Sequence, residues 1–161
     1  MIGDFKQKIY IDTSVLSYLS SKPTKEPIAR ARQILSKKWW GNIEDFSQIF
    51  ISVYTIEELE KGDKAAAQKR VSLIENLSIL DSSTDIEKFA KIIFNELRIP
   101  EKSKLDAYHL SIAAIQSMDL VVSWNFKHMA NAFIRKFYKS ICHSEGIFAP
   151  EIVTPEELLE E

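Results

Sequence analysis

In Lys8-Ile9-Tyr10-Ile11-Asp12-Thr13-Ser14-Val15-Leu16, an apolar, β-branched run climbs to a single carboxylate and then turns polar for two residues. Beyond them Val15, Leu16, Tyr18 and Leu19 return at helical rather than alternating spacing. The pattern predicts strand, turn and helix, with Asp12 at the carboxyl end of the strand. In open α/β sheets ligands bind outside those strand ends, so an acid there is a candidate for chemistry. Asp is also a favoured N-cap, and capping the next helix is the plainer account of Asp12 taken alone.

The same alternation continues outward. Ser20 to Pro27 reads as a loop, and a helix starts at about Pro27 and carries Trp39-Trp40, read as packing residues rather than a base-stacking surface. Gln48–Val53 is a second strand, followed by helix over Tyr54–Gly62 and again over Lys64–Asn76. Leu77–Leu80 is a third strand. Thr84-x-x-Glu87 reads as a capping box for a helix over Ile86–Leu97 that stops before Pro100. Ser103 leads a helix over Lys104–Ser117, Leu120–Trp124 is a fourth strand, and Phe126–Ser140 another helix. Glu151–Val153 is a short last strand, closed by the box Thr154-Pro155-Glu156-Glu157 before a terminal helix. Strands alternating with helices imply an α/β fold: three layers, α/β/α, around a mainly parallel sheet of four to five strands.

At 161 residues the chain suits one domain, expected over residues 1–161, with a real core. Hydrophobic residues make up 45% and charged residues 27%, which excludes a disordered chain, and four glycines are too few for an all-β fold of tight turns. No apolar run reaches membrane-spanning length, and the start at Met1 lacks a signal-peptide core. The lone Cys142 has no internal disulfide partner, which fits a reducing cytoplasm and a buried structural role. A net charge of −2 means the whole molecule is no magnet for nucleic acid. Charge is uneven, however: Lys22 to Lys38 and Arg135 to Lys139 are basic, and Glu156, Glu157, Glu160 and Glu161 are acidic.

Three further positions resemble Asp12 in context. Glu57 and Glu58 begin the helix after the second strand, Asp106 lies in the first turn of the Lys104 helix, and Asn125 follows the fourth strand. Each has a capping explanation, through Thr55-x-x-Glu58, Ser103-x-x-Asp106 and Asn125 itself. In a parallel sheet, though, the ends of strands one, two and four share one edge. Two carboxylates about 4 Å apart at an effective dielectric near 20 repel by roughly 4 kcal/mol, and a divalent cation removes that cost. Oxygen-only donors favour Mg²⁺ or Mn²⁺ over zinc, for which no Cys/His spacing exists. Periodicity leaves Glu57 and Glu58 equal. His109, one turn after Asp106, could orient that carboxylate or simply be a buried histidine bonded to backbone, and His128 reads as a surface histidine.

Taken together, Ile9-Tyr10-Ile11-Asp12-Thr13-Ser14, Ser52-Val53-Tyr54-Thr55-Ile56-Glu57-Glu58-Leu59-x-x-Gly62, Leu105-Asp106-Ala107-Tyr108-His109 and Leu120-Val121-Val122-Ser123-Trp124-Asn125 resemble the PIN-domain family in order and context. The resemblance implies metal-binding acids at Asp12, Glu58 and Asp106, the Glu-Leu-x-x-Gly pattern selecting Glu58. It implies supporting hydroxyls at Ser14 and Ser123. Asn125 stands where the family's fourth acid falls, keeping a carbonyl acceptor but losing a charge. The implied activity is a Mg²⁺- or Mn²⁺-dependent endoribonuclease leaving 5′-phosphate and 3′-hydroxyl ends. Many small members are toxins of VapC-type toxin–antitoxin pairs, so the resemblance also implies RNA as substrate, a small antitoxin partner and a cytoplasmic homodimer. The competing expectation is an impaired PIN-like RNA- or protein-binding module, with Asn125 as its mark. A haloacid-dehalogenase-like phosphatase fits less well, because Ser14 occupies the place of its second Asp.

Overall fold

The computed structural model describes residues 6–159. The acidic pair Glu160 and Glu161, and the start of the chain, lie outside them. Strand β1 (Ile9–Ile11) sits at the centre of a five-stranded sheet in which every pairing is parallel. Its neighbours are β2 (Ile49–Ser52) on one side and β4 (Leu120–Val122) on the other, with β3 (Ser78–Leu80) and β5 (Glu151–Val153) at the edges. Tyr10 pairs with Phe50 and with Val121. The chain builds outward from β1 through β2 to β3, then returns to the other side of β1 for β4 and β5. That reversal opens a crevice between the carboxyl ends of β1 and β4, where α/β sheets bind ligands.

Consecutive strand residues point to opposite faces, and both faces here are buried. Tyr10, Val121 and Ile152 face α5 (Thr84–Glu96), α6 (Lys104–Ile115) and α7 (Ala132–Ser144). Ile11, Ile51 and Val122 face α1 (Thr13–Ser20) and α2 (Pro27–Gly41) through Val15, Leu16, Leu19 and Trp39. Each fully buried Ile or Val is worth about 1.5–3 kcal/mol, so the site stands on a rigid base. Helix α6 is buried almost all round, and its small residues Ala107, Ser111, Ala113 and Ala114 suit close approach of α5. Two helices end on non-glycine residues in the left-handed region, Arg98 and Ser117. The amides of Ile99 and Met118 return to the carbonyls of Phe94 and Ala113, closing each helix end with a wrapped turn.

The three-layer parallel architecture matches the expectation, with all five strands formed. Helix boundaries differ where caps compete. Ser52, not Thr55, caps α3 (Val53–Glu60), with Thr55 as the reciprocal partner, and Ser83, not Thr84, caps α5. Ser103 makes no side-chain cap. The expected helix from Lys64 is a 3-10 turn, Lys64–Ala66, followed by α4 (Ala67–Ile74), because Asp63 caps the turn separately. The helix expected from Phe126 begins only at Ala132. The carbonyl of Asn125 takes the amides of Met129 and Ala130, both buried, and Asn131 then caps α7. The terminal helix is, among the described residues, a single 3-10 turn over Glu156–Leu158. Trp39 is core and Trp40 packs on Phe46, so the pair is packing material. No helix of the described residues is long and apolar enough to cross a membrane.

Candidate active site

Asp12 leaves β1 in an extended conformation and caps α1, so the capping account holds. It does not exhaust the residue. Asp12 Oδ1 accepts from both the amide and the hydroxyl of Ser14, and Oδ2 accepts from Ser123 Oγ at 2.7 Å. Only 4% of Asp12 is exposed. Burial pushes its carboxyl up to about 6; the two serine hydroxyls and the His109 charge pull it back, while the charge of Asp106 raises it further. Asp12 and Asp106 therefore feel each other across the crevice.

Helix α3 resolves the Glu57/Glu58 ambiguity. Glu57 turns outward to Lys61 at 3.7 Å, whereas Glu58 turns inward. Glu58 Oε1 accepts from Thr13 Oγ1 at 3.0 Å and from His109 Nε2. Burial alone would raise the Glu58 carboxyl, but the His109 bond and charge, with the Thr13 hydroxyl, outweigh it and hold the group below its ordinary range. His109 is only 1% exposed, and its other ring nitrogen meets the Tyr10 hydroxyl, which in turn meets Ser52 Oγ at 2.7 Å. Burial would push the imidazole down, yet Tyr10 and Glu58 together hold it well above its ordinary value. A histidine–carboxylate pair thus runs from the core to the partly exposed Glu58 at the site. His109 serves Glu58, not Asp106, because its position in α6 points it under β1 and toward α3.

Asp106 is attended by two other residues. Its Oδ2 accepts from Asn125 Nδ2 at 3.1 Å and from His128 Nδ1 at 2.7 Å. The side-chain Oδ1 of Asn125 accepts the His128 amide at 3.0 Å, and since a backbone N–H can only donate, the side chain must turn its NH₂ toward Asp106. The acceptor expected to face a cation is thus turned away, and Asn125 acts as a donor. His128 is the residue that sequence reading undervalued: it follows Asn125 by three, on the turn that replaces the expected helix. Ser14 and Ser123 are the two hydroxyl donors to the Asp12 carboxylate. Ser14 Oγ also accepts the Trp124 amide, and Ser123 Oγ the Asn125 amide, which ties the ends of β1 and β4 together.

Asp12, Glu58 and Asp106 thus come from three separate elements to one edge, and an open cleft beside Glu58 and Asp106 is lined by Lys61, Lys102 and Lys104 together with Glu57 and Glu101. Among the described residues no three His, Cys, Asp or Glu side chains close into a ready-made metal ligand group. The donor chemistry nevertheless fits a hard cation that keeps most of its water. Glu58 Oε2 and Asp106 Oδ1 take no hydrogen bond from a described residue, and a buried carboxylate at Asp12 gains by a neighbouring positive charge. Mg²⁺ commonly binds through one or two carboxylates and several waters, so a closed cage is not required.

The PIN domain family model matches residues 9–134. No curated protein matches the chain at a significant level. Among solved structures, the chain is similar to VapC20 of Mycobacterium tuberculosis, a sarcin-ricin loop cleaving toxin, with 17% identity over 70% of this chain and 86% of that one, and a TM-score of 0.54. A toxin–antitoxin complex from Klebsiella pneumoniae is similar at 20% identity, over 74% of this chain and 88% of that one, with a TM-score of 0.55. DNA-bound VapBC from Salmonella typhimurium is similar at 18% identity, over 92% and 98%, with a TM-score of 0.53. At these identities the likeness is one of fold.

Proposed function

The chain belongs to the PIN-domain family, and on that premise we propose that it is a divalent-metal-dependent endoribonuclease, the toxin of a toxin–antitoxin pair, built as one domain over residues 1–161. The observation that supports this reading is that Asp12 after β1, Glu58 in the helix after β2 and Asp106 at the start of α6 are each held by their own hydrogen-bond donors on the carboxyl side of the sheet, with the charge of Asp106 felt at Asp12. These three carboxylates would hold Mg²⁺ or Mn²⁺. When bound, the ion supplies Lewis-acid polarisation of the scissile phosphate and a lowered pKa for the attacking water. Ser14 and Ser123 fix the Asp12 carboxylate in place. His109 fixes Glu58 and carries a compensating charge, and Asn125 with His128 fixes Asp106. In the cleft beside Glu58 and Asp106, Lys61 and Lys104 pair with Glu57 and Glu101, which leaves Lys102 as the cation there that suits an approaching phosphodiester. In-line attack leaves 5′-phosphate and 3′-hydroxyl ends. The toxin–antitoxin character of the structural neighbours supports a small antitoxin as partner, and a cytoplasmic homodimer goes with that assignment.

One observation favours a second reading, an impaired PIN-like module that binds RNA or protein: Asn125 presents a donor where the family places an acid. Incubating the purified protein with labelled RNA separates the two. Cleavage is expected with Mn²⁺, lost in EDTA, and lost in Asp12→Asn and Asp106→Asn. Cleavage that survives EDTA or either substitution overturns the metal site, and RNA binding without cleavage favours the module.

A further inference from the structure

Beside the carboxylates lies an aromatic cluster that the proposed chemistry does not use. Phe126 directly follows Asn125, so its Cα lies about 3.8 Å from that of a residue bonded to Asp106. It sits on the exposed turn before α7 with 42% of its surface open, too much for a core residue. The Arg32 guanidinium, from α2, lies over its ring at 4.9 Å from the centroid. The same guanidinium lies 5.8 Å from the Trp124 ring and donates to the Tyr18 hydroxyl at 3.2 Å. Among the described residues Arg32 makes no carboxylate ion pair, so its charge is carried on π faces instead.

The cluster is also held in register with the acids. Trp124 Nε1 donates to the buried Ser36 Oγ of α2 at 2.7 Å, and the Trp124 amide donates to Ser14 Oγ, which itself donates to Asp12. The contacts run Asp12–Ser14–Trp124–Arg32–Phe126, joining two helices and the end of β4. An exposed ring beside a guanidinium suits stacking with a nucleobase, and every base has a π face, so the recognition tolerates sequence. A base inside a duplex cannot reach it.

We propose that Phe126, held by Arg32, is a stacking platform for an unpaired base next to the scissile phosphate. The proposal rests on the nuclease reading above and adds a positioning residue to it. Lys127, exposed beside Phe126, suits the neighbouring phosphate.

The test is fluorescence anisotropy with a labelled, non-self-complementary RNA 12-mer, its duplex, and an all-abasic ribose-phosphate 12-mer, without divalent metal, with cleavage in Mn²⁺ measured in parallel. Phe126→Ala and Phe126→Leu should weaken single-strand binding about tenfold, Phe126→Trp should restore it, and the abasic strand should bind wild type and Phe126→Ala alike. Thermal melting confirms that each variant is folded. Three results overturn the platform while leaving the nuclease reading intact: unchanged 12-mer affinity in Phe126→Ala with normal cleavage, equal weakening of the abasic strand, or a duplex bound as well as the single strand. A wild type that neither binds nor cuts the 12-mer overturns both. Asp12→Asn separates the two claims from the other side, since it should abolish cutting and keep the Phe126 dependence of binding.

Discussion

Ser123, at the end of β4, donates its hydroxyl to Asp12 Oδ2 at 2.7 Å across the crevice that the sheet opens beside β1. With Ser14 on the other oxygen, the carboxylate is fully oriented before any ligand arrives. Orientation has been achieved at the expense of hydration, which is why the Asp12 carboxyl sits near 6.

A first consequence is a pH signature. A carboxyl raised above its unfolded value binds its proton more tightly in the folded chain. Its contribution to stability is complete below about pH 4 and is lost as pH rises through about 6. The loss is about 2–3 kcal/mol at most. In EDTA, the stability difference between wild type and Asp12→Asn should therefore shift in favour of the variant between pH 4 and pH 8. Mn²⁺ should recover the loss in wild type only. A pH-independent difference in urea midpoints would refute this.

The His109–Glu58 pair makes a second prediction. His109→Ala removes one partner each from Glu58 and the Tyr10 hydroxyl, which keep Thr13 and Ser52, and opens a void, costing about 2–3 kcal/mol. His128→Ala should cost about 1 kcal/mol, since Asp106 keeps the Asn125 amide. Both should lower Mn²⁺ affinity by about tenfold or more, read by calorimetry. Glu57→Gln, on the outer side of α3, should change stability by no more than about 0.5 kcal/mol and leave cleavage intact.

Asn125→Asp should restore the family's fourth acid and remove a donor from Asp106. Without metal the variant should lose about 1–2 kcal/mol once solvent screening is counted, and with Mn²⁺ it should regain that loss and bind the ion more tightly. Thermal melts with and without Mn²⁺ check both halves. A variant that is equally stable in EDTA and no better at binding Mn²⁺ would show that the two side chains do not share an ion.

Cys142 is fully buried, and that burial pushes its thiol up to about 11. Iodoacetamide at pH 8 should leave it unmodified in the native protein and label it readily in urea, as mass spectrometry would show. Rapid native labelling would mean that α7 opens easily from the sheet.

The local signals were legible wherever a pattern is set by short-range physics. The run Ile9–Ile11 and its homologous apolar runs are strands because β-branched residues suit a sheet buried on both faces, and their alternation with helices dictates parallel pairing. Boundaries were less legible because several hydroxyl and Asn residues compete for each helix start. Ser52 prevails over Thr55, and Asn131 rather than Asn125 starts α7, since the buried Met129–Ala130 turn intervenes.

From the residues alone came the sheet, its carboxyl edge, and the positions Asp12, Asp106 and Asn125 along it. Tertiary structure decided what those residues touch. Only the packing of α3 under α1 turns Glu58 inward to Thr13 and His109, because two adjacent helical positions flank a buried stripe equally until a neighbour occupies one side. Only the β4–α7 turn brings His128 to Asp106 and rotates the Asn125 amide, and only the approach of α2 lays Arg32 on Phe126. Periodicity records which side of a helix is apolar. The partner that a polar atom finds across the fold depends on elements far apart in the chain.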